Sequence, residues 1–207
     1  RATQLAVQQP PAISTFDGLQ VFLCGTSSPL PVPGRAQACV AVLAGDALYV
    51  IDTGAGSAQV ATLGQLPLER LEAVFLTHFH SDHIAALPEF NLNSWVAGRP
   101  LTLFVFGPPG VQEVVDGLNA AYQQDQGYRV AHHGAALLPP DLGAMEARVM
   151  EADTVMERGD LVITSFTVDH DPVRPAVGYR FDYRGRSVVV SGDAMVTPGL
   201  VQAASGA

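Results

Sequence analysis

Lysine is absent from this sequence. All eleven basic residues are arginines, scattered along 207 positions and outnumbered by 20 carboxylates, for a formal charge of −9. Nucleic-acid binders commonly gather cations into a patch or stripe that neutralises phosphates. No such cluster is visible. This counts against nucleic acid as the partner, without excluding it, and predicts weak tRNA binding at physiological salt. Cysteine is scarce too: Cys24 and Cys39 are too few for a zinc knuckle. Buried free cysteine is common in cores, so two core thiols are expected in preference to a disulfide. No apolar run is long enough to cross a bilayer, and no membrane partner is expected. A signal-peptide pattern and an initiating methionine are both missing. Two placements stay open: the cytoplasm or, after removal of a leader, the periplasm or exterior.

What the chain has is core-forming material. Hydrophobic residues make up 48% of it, enough for one large domain. Residues 1–18 read as a loose Gln- and Pro-rich lead-in, and 19–207 as the domain. "LQVFLCG" predicts a buried strand. "ACVAVLAG" and "ALYVID" predict a hairpin turning at Gly45–Asp46, and "LEAVFLT" a fourth strand. "SDHIAALPEFNLNSWVAG" has helical spacing with Ser81 as N-cap. "GVQEVVDGLNAAYQQD" predicts an amphipathic helix after the strand "LTLFVFG". Residues 127–151 give no clear pattern. Beyond them "DLVITSFTVDH" returns to strand, "AVGYRFDY" and "RSVVVSGD" form a second hairpin, and "LVQAASGA" starts a helix in which the sequence ends. Strands in runs with interleaved helices predict packed sheets with helices outside, an α+β fold.

Half of the six histidines fall in "THFHSDHIAAL", where His78, His80 and His83 accompany Asp82. In extended backbone, residues two apart point the same way, so His78 and His80 can reach one metal ion together. A turn after His80 swings Asp82 and His83 towards a second position nearby. Imidazole and carboxylate donors suit zinc, iron or manganese, and a mixed set leaves room for water. Three other strand ends carry comparable groups: His170 in "FTVDHDPV", Asp193 in "VVVSGDAM" and Asp52 in "YVIDTGAG". One aspartate after a strand is most often a turn former. Several strand ends bearing ligand-type residues make a candidate site.

The run His78-x-His80-x-Asp82-His83 resembles the HxHxDH signature of the metallo-β-lactamase superfamily. "FLCGTSSPLPVPGR" (22–35), "IDTGAG" (51–56), "VDHDPVRPAVGYRF" (168–181) and "SGDA" (191–194) follow in the order of its ribonuclease Z-like branch. That branch holds tRNA 3′-end nucleases and hydrolases of phosphate and sulfate esters. The resemblance implies a four-layer αββα sandwich with its site along one edge of the sheets. It implies His78, His80 and His170 on a first metal, Asp82 and His83 on a second, and Asp193 bridging them. Asp82 and Asp193 are then the side chains nearest the chemistry, and Asp52 orients the ligand loop without touching metal. Two zinc ions are expected in the intact protein, with manganese or iron as alternatives. The family pattern has a further histidine after the SGD aspartate. None follows His170 here, so the resemblance implies a domain shortened at its C-terminus and a weaker second metal. His132 and His133 read as surface-loop residues, not as replacements.

In this family a metal-bound hydroxide attacks a phosphorus, sulfur or carbonyl centre, because the metal lowers the water pKa from about 15.7 towards 7. No general acid is assignable. The span 107–158 shows no basic, glycine-rich arm for gripping tRNA. The expected function is therefore hydrolysis of a small-molecule ester: a phosphodiester, sulfate, carboxylic ester or lactone. A tRNA 3′-processing endonuclease is the alternative. An iron-dependent oxidoreductase and an inactive metal-binding member of the fold stand behind it. A homodimer is compatible with the sequence.

Overall fold

The computed structural model describes residues 17–207. Most of the expected lead-in, residues 1–16, lies outside the described residues. Strands β1 (Leu19–Gly25), β2 (Cys39–Ala44) and β3 (Ala47–Ile51) run antiparallel, with Gly45–Asp46 at the β2–β3 turn. Strands β4 (Leu71–Phe75), β5 (Leu103–Gly107) and β6 (Met145–Val149) extend this sheet in parallel. The second sheet is antiparallel, in the order β10 (Arg186–Val190), β9 (Val177–Tyr183), β8 (Leu161–Thr167), β7 (Val155–Arg158).

A strand buried on both faces reads as a continuous apolar run, and β3 shows why. Tyr49 and Ile51 point between the sheets, with Phe75, Tyr179 and Phe181. Leu48 and Val50 point the other way, with Val74 and Leu76, under the helices. Those helices are α1 (Ser57–Leu63), α3 (Leu87–Val96) and α4 (Val111–His133). The short α2 (Ser81–Ile84) leads into α3. On the far side α5 (Pro198–Ala203) packs on β8 through Leu200 and Ala203, against Phe166 and Val168. The layers run helix, sheet, sheet, helix, as the resemblance implies. The two sheets are also tied by polar groups where β4 ends. Tyr179 Oη donates to the Leu76 carbonyl at 2.8 Å, and Val177 N–H to the Thr77 carbonyl at 3.0 Å. Among the described residues no helix is long and apolar enough to cross a membrane.

Several local expectations need correction. The segment 81–98 is two helices, not one, and His80 occupies the N-cap of α2 with Ser81 inside it. Helix α4 runs on to His133, past the point where its apolar spacing fades. The final helix starts at Pro198 and ends at Ala203. The two cysteines are not free thiols: Cys24 and Cys39 form a disulfide, with Cα atoms 5.0 Å apart. The β1–β2 register explains it. Leu23 pairs with Val40, the register then slips, and Gly25 pairs with Cys39, which brings Cys24 beside Cys39.

A bridge across a loop of this length is worth about 3 kcal/mol through the unfolded chain. Cys39→Ala is expected to lower unfolding stability by about 2–3 kcal/mol, read from urea denaturation. A reductant should destabilise the parent protein by a similar amount and leave the variant unchanged. Equal midpoints for the parent with and without reductant would show that the bridge contributes nothing.

Candidate metal centre

Open α/β sheets gather ligands outside the carboxyl ends of their parallel strands. The parallel strands β3, β4 and β5 end together along one edge. Asp52 follows β3, and the run Thr77–His83 follows β4. The second sheet adds His170 after β8 and Asp193 after β10.

The backbone stays extended through His80, with φ −62° and ψ 146°. That puts His78 and His80 on one side, with ring centroids 4.7 Å apart and His78 Nε2 3.0 Å from His80 Nδ1. The His170 ring closes the group, 4.8 Å from that of His78 and 5.4 Å from that of His80. One ring nitrogen from each lies within 4.8 Å of the others. His170 Nε2 is buried and has no hydrogen-bond partner. A buried polar atom left unpaired costs about 1–3 kcal/mol. Three convergent imidazoles with an orphaned nitrogen fit a divalent metal.

A second group meets the same limit: His78, His83 and Asp193. His83 is buried in α2, its Nε2 3.5 Å from Asp193 Oδ1 and 3.7 Å from Asp82 Oδ2. Asp82 stands beside His83 but belongs to neither three-residue group. Asp193 gets close because the chain turns at Gly192, which has φ 61°; a Cβ there would lie 2.7 Å from the Thr77 side chain. His132 and His133 belong to neither group. They are exposed and end α4 instead of lying in a loop.

Asp52 sits behind the ligand run and is itself buried, with φ 58°. Its Oδ1 accepts Thr77 N–H at 2.9 Å. Its Oδ2 accepts the Thr77 hydroxyl at 2.8 Å and lies 2.8 Å from His83 Nδ1. If His83 donates from Nδ1, its Nε2 is left facing Asp193. The Thr77 hydroxyl also lies 3.1 Å from His78 Nδ1. Thr77 is the functional residue that sequence reasoning missed; nothing in its type or spacing marks it.

Electrostatics divide the two rings. His78 is pushed down to about 3, first by burial and then by His83, His170 and His80. A ring held neutral keeps a lone pair for a metal. For His83 burial is the largest influence and lowers the pKa. The hydrogen bond to Asp52 and the charges of Asp52, Asp193 and Asp82 together outweigh it, and the net shift is upward. These carboxylates favour a cation at this spot.

A family model described as a beta-lactamase superfamily domain matches residues 48–207. Ribonuclease Z of Mycobacterium marinum is 40% identical over 192 residues, covering 91% of this chain and 68% of that protein. Ribonuclease Z of Mycobacterium tuberculosis is 37% identical, with coverages of 91% and 67%. Among solved structures, the metallo-beta-lactamase fold protein YhfI from Bacillus subtilis matches with a TM-score of 0.67. Its identity is 21%, over 90% of this chain and 67% of that one. Human tRNase Z, short form, also matches at 0.67, with 20% identity over 88% and 73%. At such identities the two structures speak to fold alone. The ribonuclease Z relatives overturn the expectation of a small-molecule ester hydrolase, and with it the reading that set nucleic acid aside. They rested on scattered arginines and on the lack of a basic, glycine-rich arm in 107–158; net charge sums the whole surface and does not describe the field at one sheet edge.

Proposed function

The chain belongs to the ribonuclease Z-like branch of the metallo-β-lactamase superfamily, and we propose that it is a metal-dependent endoribonuclease cutting precursor tRNA at its 3′ side. The observation that carries the reading is the 40% identity to a ribonuclease Z across 91% of the chain. The site chemistry supports it. His78, His80 and His170 offer imidazole nitrogens to one metal. His83, Asp82 and Asp193 serve a second position, with Asp193 shared between the two. Nitrogen and carboxylate donors without a thiolate suit zinc. A bound divalent ion supplies Lewis acidity and water whose pKa falls from about 15.7 to about 7.

The protein's own side chains do the positioning. Asp52 holds Thr77 and His83, so the run after β4 keeps its course. Tyr179, through the Leu76 carbonyl, fixes the same strand end against the second sheet. These bonds set the ligand run in place ahead of the phosphodiester, the condition for efficient positioning.

The test uses end-labelled precursor tRNA and protein stripped with a chelator. No cleavage is expected from the stripped protein. Zinc should restore a single cut at the 3′ side of the acceptor stem, with manganese as a comparison. An intact precursor alongside rapid turnover of bis(4-nitrophenyl) phosphate would overturn the assignment to tRNA.

A further inference from the structure

A cleft of about 680 Å³ opens beside the histidine cluster, and the site described above does not use it. Its floor is carbon, from the buried Pro108, Val168 and Ala176. Two parts of its lining reach segments that bear candidate ligands. Asp169 precedes His170, and its carbonyl accepts the N–H of Met195 at 2.7 Å, two residues past Asp193. Pro108 and Pro109 lead into Gly110, where an added Cβ would lie 2.9 Å from the ring of Phe79, the residue between His78 and His80. None of the proposed ligands lines the cleft, but Asp169 and Pro108, which follow β8 and β5, place it on the same sheet edge as the ligands.

The charges decide what the cleft can hold. Its one cationic side chain among the described residues is Arg174, which already lies 3.3 Å from Asp171. Asp169 and Glu151 also line it. Carboxylates in excess of guanidinium disfavour a phosphate. They are good acceptors for exocyclic amino groups, while Arg174 can donate to a ring carbonyl or nitrogen. A carbon floor suits the flat face of a heterocycle. Single-stranded RNA is commonly held this way, by bases laid on apolar surface with their edges hydrogen-bonded.

We propose that this cleft is a subsite for one unpaired nucleobase next to the scissile phosphate. The inference rests on the endoribonuclease reading and deepens it. Beside the cut, where Glu151 and Asp169 outnumber Arg174, RNA would then be held mainly through a base.

The experiment compares zinc-loaded parent protein and Thr167→Trp on a short RNA carrying the cleavage sequence. The RNA is used intact and with an abasic residue on either side of the cut, one at a time. Thr167 is an exposed residue on the rim, outside the ligand set, and an indole there fills the opening. For the parent, one of the two abasic positions should raise KM about tenfold with kcat nearly kept. Thr167→Trp should raise KM for intact RNA by a similar factor and no longer distinguish intact from abasic RNA. Turnover of bis(4-nitrophenyl) phosphate and metal content should not change. Equal KM values for intact and abasic RNA with the parent protein would overturn the subsite and leave the ribonuclease reading standing; this comparison needs no variant. Hydrolysis of the small diester without RNA cleavage would sink the ribonuclease reading itself.

Discussion

His78→Ala is expected to leave the protein without stoichiometric metal and to lower RNA cleavage by about a thousandfold or more. The magnitude follows from its place. Losing a partner that stands behind a metal ligand costs roughly 10–100-fold in affinity or activity. His78 is not behind a ligand; it is a proposed direct ligand of the first metal, and its ring lies at the centre of the site, within reach of both three-residue groups. The other members separate. His80→Ala or His170→Ala should weaken the first metal and spare much of the second, whereas Asp193→Ala, which removes the carboxylate shared between the two, should weaken both. Elemental analysis and calorimetric titration with zinc distinguish these cases. The folded state should survive, since His78 is one buried ring beside a core held by Phe75, Tyr179 and Phe181. A His78→Ala protein that binds two metals at parental affinity would refute its role as a ligand of the first.

The residues that matter most here were legible for a simple reason. The HxHxDH spacing is local, and one extended segment followed by one helical turn sets its geometry. His170 and Asp193 were legible only as ligand types at strand ends; their approach to His78 depends on how the second sheet packs. The strands β1 to β5 were readable because they are apolar and bounded by turn residues. The middle was not. Helix α4 buries Val111 and Val115 but exposes most of its later turns, so its C-terminal half has no apolar stripe to read. Strands β6 and β7 are short, and β7 has no buried residue. The disulfide was missed because it depends on register, which single residues do not reveal. The substrate was not legible because the ligand run is common to the whole superfamily, while the scattered arginines and the lack of a basic arm in 107–158 pointed away from RNA.

Asp52→Asn is the second change with a large expected effect, and its geometry predicts how the loss divides. The carboxylate faces the Thr77 N–H and hydroxyl and His83 Nδ1 from two oxygens. An asparagine amide keeps the shape but replaces one of those oxygens with a donor. Donor then meets donor, at Thr77 N–H or at the pair formed by the Thr77 hydroxyl and His83. A buried group left unpaired in this way costs about 1–3 kcal/mol. The backbone should not add to the loss, because Asp52 has φ 58° and asparagine tolerates this region as well as aspartate does. Alanine tolerates it less well, so Asp52→Ala should lose more stability than Asp52→Asn. Asp52→Ala removes the orienting acceptor of His83, and Asp52→Asn either does the same or leaves a neutral amide oxygen in place of the carboxylate. Zinc affinity should fall about 10–100-fold, and kcat should fall with little change in KM, since no group that touches RNA has been removed. Urea denaturation of the metal-free proteins measures the first effect, and zinc titration with single-turnover cleavage measures the second. Should Asp52→Asn lose stability yet keep parental zinc affinity and kcat, Asp52 would be a packing residue and His83 would be oriented by something else. Should it keep stability but lose zinc, the carboxylate acts on the ligand run alone.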